Sequence, residues 1–160
     1  MKFLVEVKLP RMIKHEIDSL IKGQILCRIA FKGDTHPYMA PFQYVFMNGS
    51  LYFHFTDYGK KIKLLDQDRR VCVEIESYLP DLSEYKFVVL RGSLTIVEDH
   101  DERKDVIDKM VEIGKEKISR NFLSAHGFRK EEGWDSFGSD KSLTIIKLED
   151  VVETVGLKSF

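Results

Sequence analysis

The segment from His54 to Leu65, HFTDYGKKIKLL, contains the residue types of a phosphate site. Its pattern is a strand end, a turn with the hydroxyl of Thr56 and a glycine, and then Lys60 and Lys61 in the first turn of a helix. Backbone N–H groups in such a turn and at a helix start attract anions, and the two ammonium groups add full positive charges. A solvated basic helix start has the same local pattern. The segment by itself leaves both interpretations open.

Two other side chains could take part in a site. His54 comes two residues before Thr56 and could contact a ligand or be a structural histidine with satisfied hydrogen bonds. Trp134, the single tryptophan, lies in a largely polar stretch and could fill the core or cover a flat aromatic ligand. The histidines lack zinc-site spacing, and the sequence has no CxxC, HExxH, GxSxG, GxGxxG or P-loop motif. We therefore expect no metal site, and hydrolase or Rossmann-type chemistry has no support.

Composition limits the possible partners and compartment. The 160 residues include 25 basic and 26 acidic side chains, so no global positive field attracts nucleic acid or an anionic membrane. The longest apolar runs are far shorter than the ~20 residues of a membrane-spanning helix, and the N-terminus lacks an apolar leader region. Cys27 and Cys72 form no CxxC pair, which predicts buried thiols. We expect one cytoplasmic domain over residues 1–160, without nucleic-acid or membrane partners.

A helix and two β-hairpins are predicted in the first third of the chain. Apolar residues at helical spacing predict a helix from Pro10 to Gly23, and residues 24–31 have strand character. A Gly-Asp turn then leads to a second strand over Tyr38–Met47. Asn48-Gly49 follows directly and is typical of a type I′ hairpin turn, since both central residues need positive φ.

The register of this hairpin separates two faces. If Met47 faces Ser50, one face is apolar and is predicted to be core. That face consists of Phe42, Tyr44, Phe46, Leu51, Phe53 and Phe55. The other face, which we call the mixed face, consists of Met39, Pro41, Gln43, Val45, Tyr52, His54 and Thr56. The mixed face could meet solvent, a partner or a ligand.

The remaining elements predict a small antiparallel barrel. In order they are a short helix over Lys60–Asp66, strands over Arg70–Glu76 and Tyr85–Val97, a helix over Asp101–Arg120, a loop over 121–140, and a strand over Leu143–Leu148 before a terminal turn. Arg91-Gly92 interrupts the longest strand and suggests a bulge that lets the sheet curl. The absence of βα alternation favours hairpin connections over a parallel sheet.

Three segments of the chain together resemble one known family. HPYMAPFQYVFMNGSLYFHFTDYGKKIKLLDQDRRVCVEIE, FVVLRGSLTIVED and the terminal VVETVGLKS are similar, in order and spacing, to the flavin-binding split-barrel family related to pyridoxamine phosphate oxidase, in particular its nitroimidazole-resistance-like branch. The resemblance covers nearly the whole chain. It implies a mainly β fold, an antiparallel split β-barrel of Greek-key type with an N-terminal helix and one long helix.

The resemblance also implies a cofactor and its place. The family usually holds FMN at a homodimer interface, with the phosphate near Thr56, Lys60 and Lys61 and the isoalloxazine ring along the strand from Tyr38. Dimerisation would then bury the mixed face, and a late aromatic residue would reach the flavin from the second subunit. The implied cofactor-binding residues are Tyr38, Met39, Ala40, Pro41, Phe42, His54, Phe55, Thr56, Lys60, Lys61 and Trp134.

The function implied is that of an FMN-dependent oxidoreductase or flavin reductase. Electrons would pass from a reduced nicotinamide or another donor to a small aromatic or quinone-like acceptor, with His54 as proton donor or ring contact. The alternatives are a flavin-binding or carrier protein without turnover, or a relative that uses deazaflavin or haem. Oxidation of pyridoxamine phosphate itself is not expected, because Tyr38-Met39-Ala40-Pro41 lacks the arginine that the oxidase carries there.

Overall fold

The computed structural model describes residues 4–139 and 143–160. Within them, seven strands form one curled antiparallel sheet in the order β2-β1-β5-β6-β7-β4-β3, so the predicted fold class is confirmed. In chain order the elements are α1 (Lys14–Gly23), β1 (Leu26–Phe31), β2 (Tyr38–Gln43), β3 (Val45–Met47), β4 (Ser50–Thr56), α2 (Lys60–Gln67), β5 (Arg70–Tyr78), β6 (Tyr85–Ile96), α3 (His100–Lys117), α4 (Asn121–Ala125), a 3₁₀ turn (Lys130–Glu132), α5 (Asp135–Ser139) and β7 (Leu143–Lys158).

The sheet curls until side chains of β2 and β4 come into contact. β2 and β3 are separated in sequence by Tyr44 alone, so the predicted continuous strand over Tyr38–Met47 is wrong at this residue. The Tyr44 N–H donates to the Ile25 carbonyl (3.2 Å), and its hydroxyl donates to the Ile21 carbonyl (2.5 Å). Across the gap, the ring centres of Phe42 on β2 and Phe55 on β4 are 5.1 Å apart. Tyr44 is therefore the corner at which the split barrel closes.

The ladder is irregular at the predicted position, Arg91-Gly92, but the extra residues lie in the neighbouring strand β7, which is also longer than predicted. The β6–β7 register shifts between Arg91 and Ser93, where β7 has two more residues than β6. A Cβ on Gly92 would lie 2.7 Å from the Glu149 carbonyl oxygen, so only glycine lets the strands approach here. β7 is kinked at Asp150, whose φ of 50° lies in the left-handed region. The strand then continues to Lys158, in place of the predicted terminal turn.

Two hydrophobic cores lie on opposite sides of this sheet. The first, inside the curl, takes the apolar face of the predicted hairpin together with α1 and α2. The second lies outside, between the sheet and α3–α5, and includes Val45, Tyr52, Leu123, Trp134 and Phe137. The predicted loop over 121–140 therefore contains two short helices up to residue 139, because its apolar side chains cover the sheet.

The long helix α3 is tied to the sheet by a polar cluster. Its N-cap Asp99 accepts from the Glu102 N–H at 2.7 Å. The Tyr52 hydroxyl donates to the Glu102 carboxylate at 2.6 Å, and the Lys147 ammonium lies 3.2 Å from the same carboxylate. In the described ranges, 4–139 and 143–160, we find no helix long and apolar enough to cross a membrane.

Candidate functional site

The start of α2 is open to an anion. Gly59, with φ of 102° in the left-handed region that favours glycine, precedes the helix and supplies no side-chain cap. The first turn contains no acidic residue. The Thr56 hydroxyl donates to the Tyr58 carbonyl at 2.8 Å and so shapes the approach to the helix. The first N–H groups of α2 are therefore left for water or for an anionic ligand.

The two lysines of this turn lie over aromatic rings of β2. The Lys60 ammonium is 4.7 Å from the centre of the Tyr38 ring, and the Lys61 ammonium is 4.6 Å from that of Phe42. Among the residues that the structure describes, neither lysine forms an ion pair with a carboxylate. An aromatic face attracts a cation without neutralising it. The structure thus brings the predicted phosphate-binding lysines to the predicted ring-binding strand, with their charges available.

β2 itself is an edge strand with one free side. It pairs with β1 and begins the sheet order, so the backbone of its other edge is open. Tyr38, Ala40 and Phe42 pack towards the first core, whereas Met39, 63% exposed, and Pro41 point outwards. An edge strand tolerates Pro41 because it has no second neighbour to bond. Unpaired N–H and C=O groups can therefore hydrogen-bond a planar ligand lying along this edge.

His54 lies on the other side of the sheet, beneath the helices. Its side chain is 8% exposed, and its ring meets Phe137 edge-on at 4.9 Å and His126 at 5.5 Å between ring centres. Burial, reinforced by the positive charges of His126 and Lys61, lowers the pKa of His54 to about 3. The imidazole is therefore neutral near pH 7. A proton-donating role for His54 stays a prediction, and it would require the helices to move.

The chain's own helices cover much of the mixed face. Gln43 is 2% exposed, and neither atom of its side-chain amide has a hydrogen-bond partner in the described residues. His126, at the end of α4, and Phe137 of α5 cover His54 within one chain, so His54 is buried without a partner. The burial of the mixed face by dimerisation stays a prediction.

Trp134 is a core side chain in this structure. Its residue is 3% exposed, and its ring is stacked on Phe122 at 6.1 Å between ring centres. A Cβ on Gly114 of α3 would lie 2.3 Å from the Trp134 ring, so glycine makes room for it. This is the first of the two alternatives that the sequence left open. Contact with a flavin would require the ring to leave this packing.

A cavity of about 550 Å³ adjoins the start of β2. The β1–β2 turn up to Pro37, the start of β5, the middle of β6 and the β7 kink line it. Its basic side chains are Lys32, Arg70 and Arg91. Asp68 pairs with both Arg70 (2.7 Å) and Lys32 (3.6 Å), and Arg91 pairs with Glu153. This cavity has no signal in the sequence, because four segments distant in the chain form its wall.

The comparisons with known proteins agree with this architecture. A family model described as pyridoxamine 5'-phosphate oxidase matches residues 14–129. Among solved structures the chain is similar to an FAD-binding protein from Mesorhizobium loti, with TM-score 0.68 and 17% identity, covering 96% of this chain and 100% of that one. It is also similar to HutZ, the haem storage protein of Vibrio cholerae, with TM-score 0.66 and 13% identity, covering 92% and 95%.

A third similar structure is a candidate 5-nitroimidazole antibiotic resistance protein from Bacteroides thetaiotaomicron, with TM-score 0.62 and 17% identity, covering 99% and 96%. At these identities the structural likeness establishes the fold alone. A search of curated protein sequences gives no match. The family model decides membership, because it is matched by sequence over more than half of the chain, from α1 through α4. The chain therefore belongs to the pyridoxamine 5'-phosphate oxidase family.

Proposed function

We propose that this protein is an FMN-dependent oxidoreductase or flavin reductase. The observation that carries the proposal is the pair of lysine ammonium groups, Lys60 and Lys61, placed over the rings of β2 without carboxylate partners in the described residues. A phosphate monoester is close to dianionic at neutral pH, so two ammonium groups and an uncapped helix start match its charge and its oxygens. The open edge of β2 suits the polar rim of a flavin ring beside that phosphate.

The residues of the chain bind and orient the cofactor in this proposal. A bound flavin supplies the electron-transfer chemistry itself. Lys60 and Lys61 hold the phosphate, the turn at Thr56 shapes its seat, and the backbone of Tyr38 to Phe42 meets the ring. FMN is preferred because its phosphate is terminal. FAD and haem, which the names of similar structures mention, remain alternative ligands for the test below.

The cavity next to Pro37 is the proposed place for the acceptor. Its volume of about 550 Å³ is in the usual range for a small-molecule pocket. Ala30 and Val71 contribute apolar wall, which suits a small aromatic or quinone-like molecule. Since Pro37 directly precedes the strand proposed to hold the ring, an acceptor in the cavity would lie beside the flavin. Met39 and Pro41 face outwards, so we further propose that a second copy completes the site.

The first experiment compares flavin binding by two lysine variants. Purified protein with FMN should show bands near about 370 and about 450 nm, as expected for an oxidised flavin. Lys61→Ala should raise the FMN dissociation constant by about 5- to 150-fold, the scale of a lost charge-assisted hydrogen bond. Lys63→Ala, an exposed lysine one residue beyond Ile62 on the same helix, is the matched control and should bind like the wild type. Equal affinity of all three proteins would show that the phosphate binds elsewhere.

A second experiment separates turnover from storage. The yellow protein is mixed with NADH or NADPH and then with a quinone under anaerobic conditions, and the 450 nm band is followed. Bleaching by the donor and recovery with the acceptor would support the oxidoreductase. A flavin that responds to neither would support a carrier without turnover. A Soret band in place of the flavin bands would redirect the function to haem.

A further inference from the structure

The free edge of β2 presents a definite set of backbone groups. The Tyr44 N–H donates to the Ile25 carbonyl, in register with the β1–β2 ladder. Backbone groups alternate between the two edges of a strand, so those of Met39, Pro41 and Gln43 are directed away from β1. Proline has no N–H. The free edge therefore offers carbonyls at all three positions and N–H groups at Met39 and Gln43.

The side chains of the same three residues lead from the surface into the protein. Met39 is 63% exposed, Pro41 is exposed, and Gln43 is 2% exposed. These side chains alternate along β2 with those that pack into the first core, so they share one face of the strand. A flat molecule that lies along this face therefore has one end at the surface and the other end beside Gln43.

The buried amide of Gln43 has no partner. Neither Nε2 nor Oε1 forms a hydrogen bond in the part of the chain that the structure describes. Such a group lowers stability, because it has lost its contacts with water without gaining others. Native proteins pair nearly all buried polar groups, and an exception calls for an explanation. At the inner end of a strand proposed to hold a ligand, the explanation is a partner that the ligand supplies.

We propose that the side chain of Gln43 binds the imide edge of the flavin ring and thereby determines which flat molecules this site accepts. The inference rests on the flavin function proposed above and names the residue that recognises the ring. An imide is an N–H group between two carbonyls. Oε1 of the amide accepts from that N–H while Nε2 donates to one of the carbonyls, so both unpartnered atoms are satisfied together. Flavins and deazaflavins have this edge, whereas the rim of haem carries methyl, vinyl and propionate groups.

Burial makes this contact selective. A ring without an imide leaves the amide unpaired in a site from which water is excluded, and the complex then bears the full desolvation cost of the amide. The lysines at the start of α2 have a different effect, because an ammonium group attracts any phosphate whatever ring it carries. Lys60 and Lys61 therefore supply affinity in this proposal, and Gln43 supplies discrimination between rings.

The test compares FMN with its analogue methylated at the imide nitrogen, using flavin fluorescence to measure both dissociation constants. The wild type should bind FMN more tightly than the analogue by about 5- to 150-fold, the scale of a buried polar group left unpaired. Gln43→Met, a substitution of similar size without the amide, should weaken FMN binding by a comparable factor and bind the two ligands alike. Gln67→Met, at the exposed end of α2, is the matched control and should keep the wild-type preference.

Urea unfolding of the protein without FMN separates this role from a structural one. Because the amide is unpartnered, Gln43→Met should leave the urea midpoint of the ligand-free protein unchanged or raise it. A lower midpoint, or a variant that does not fold, would show that the amide stabilises the chain itself and would overturn the inference.

The titrations distinguish the inference from the function on which it rests. Wild-type protein that binds FMN and the methylated analogue equally would overturn the inference and leave the flavin function intact. The same result would follow from a preference for FMN that persists in Gln43→Met, since the methyl group would then meet some other part of the site. Wild-type protein that binds neither ligand would remove both the function and the inference.

Discussion

The two ends of the predicted site differ sharply in their surroundings. At the start of α2, Lys60 and Lys61 are charged, lie at the surface and have no carboxylate partner in the described residues. Beneath α4 and α5, His54 is buried, and its imidazole is neutral near pH 7. The family resemblance places Lys60, Lys61 and His54 together in one flavin site. Strand alternation assigns a residue to one face of a sheet, whereas the layer of structure packed on that face decides whether it can meet a ligand.

The largest effect is expected from Trp134→Ala, which tests whether this side chain belongs to the core or to the ligand site. Loss of the buried indole should lower the free energy of unfolding by about 3–5 kcal/mol, because a large cavity remains beside Gly114. The FMN dissociation constant of the folded protein should change less than twofold, since the ring is part of the second core. Urea unfolding and FMN titration measure the two quantities. Trp134→Phe, which keeps much of the volume, is the control and should recover most of the stability.

A large increase in the FMN dissociation constant of folded Trp134→Ala would contradict this assignment. It would show that the ring contacts the flavin after all, from its own or a second subunit. A side chain of the second core would then take part in flavin binding, as the lysines at the start of α2 are proposed to do.

A second test uses the pH dependence of stability that His54 confers. Because its pKa in the folded protein, about 3, is below that of an unfolded histidine, the unfolded chain binds a proton first as pH falls. The contribution of neutral His54 to the free energy of unfolding is therefore fully present above about pH 6.5. It decreases below that pH, by about 2 kcal/mol between pH 7 and pH 5. Urea midpoints at both pH values measure the loss. His54→Gln should reduce this loss of unfolding free energy between the two pH values, whereas His126→Gln, at an exposed position, should keep most of it. A loss in His54→Gln as large as in the wild type would show that His54 is not the group responsible.

A smaller loss of stability is expected from the polar cluster that ties α3 to the sheet. Tyr52→Phe removes the hydroxyl that donates to Glu102 and should cost about 1 kcal/mol of unfolding free energy. Lys147 still pairs with the same carboxylate, which limits the loss. Tyr58→Phe, in the exposed turn before α2, is the control and should leave the urea midpoint unchanged. A loss equal in both variants would show that the Glu102 contact does not hold the helix.

The smallest expected effect is that of Lys60→Ala on the protein without FMN. The lysine loses only an exposed contact with the Tyr38 ring, worth about 0.5–1 kcal/mol or less. FMN affinity should fall far more than stability, which is the opposite of the result for Trp134→Ala. Thermal unfolding with and without FMN checks both quantities. A stability loss as large as that of Trp134→Ala would mean that Lys60 is structural.

Local chemistry explains which parts of the fold could be predicted. Asn48-Gly49 set the hairpin register, and the observed pairs Val45 with Tyr52 and Phe46 with Leu51 confirm it. Gly92 marked the irregularity of the β6–β7 ladder, since a side chain there would strike the neighbouring strand. The α2 helix and its two lysines were predicted within one residue at its end. In each case the signal lies in residues adjacent in the chain.

The parts that could not be predicted depend on segments distant in sequence. The short helices over 121–139 have no long periodic pattern, so their packing over His54 had no signal in the chain. The corner at Tyr44 exists because β2 bonds β1 while β3 bonds β4. Likewise, the cavity beside Pro37 needs four separate segments to form its wall.

The curled antiparallel barrel and the basic helix start at Lys60 and Lys61 could be predicted from the chain, because backbone conformation, strand alternation and formal charge are local properties. Which of the candidate groups keep an available charge or an open edge depends on the folded structure. Burial and ion pairing depend on what the rest of the chain places nearby. For this reason the lysines remain available to a ligand, whereas His54, on the other side of the same sheet, is a neutral side chain of the core.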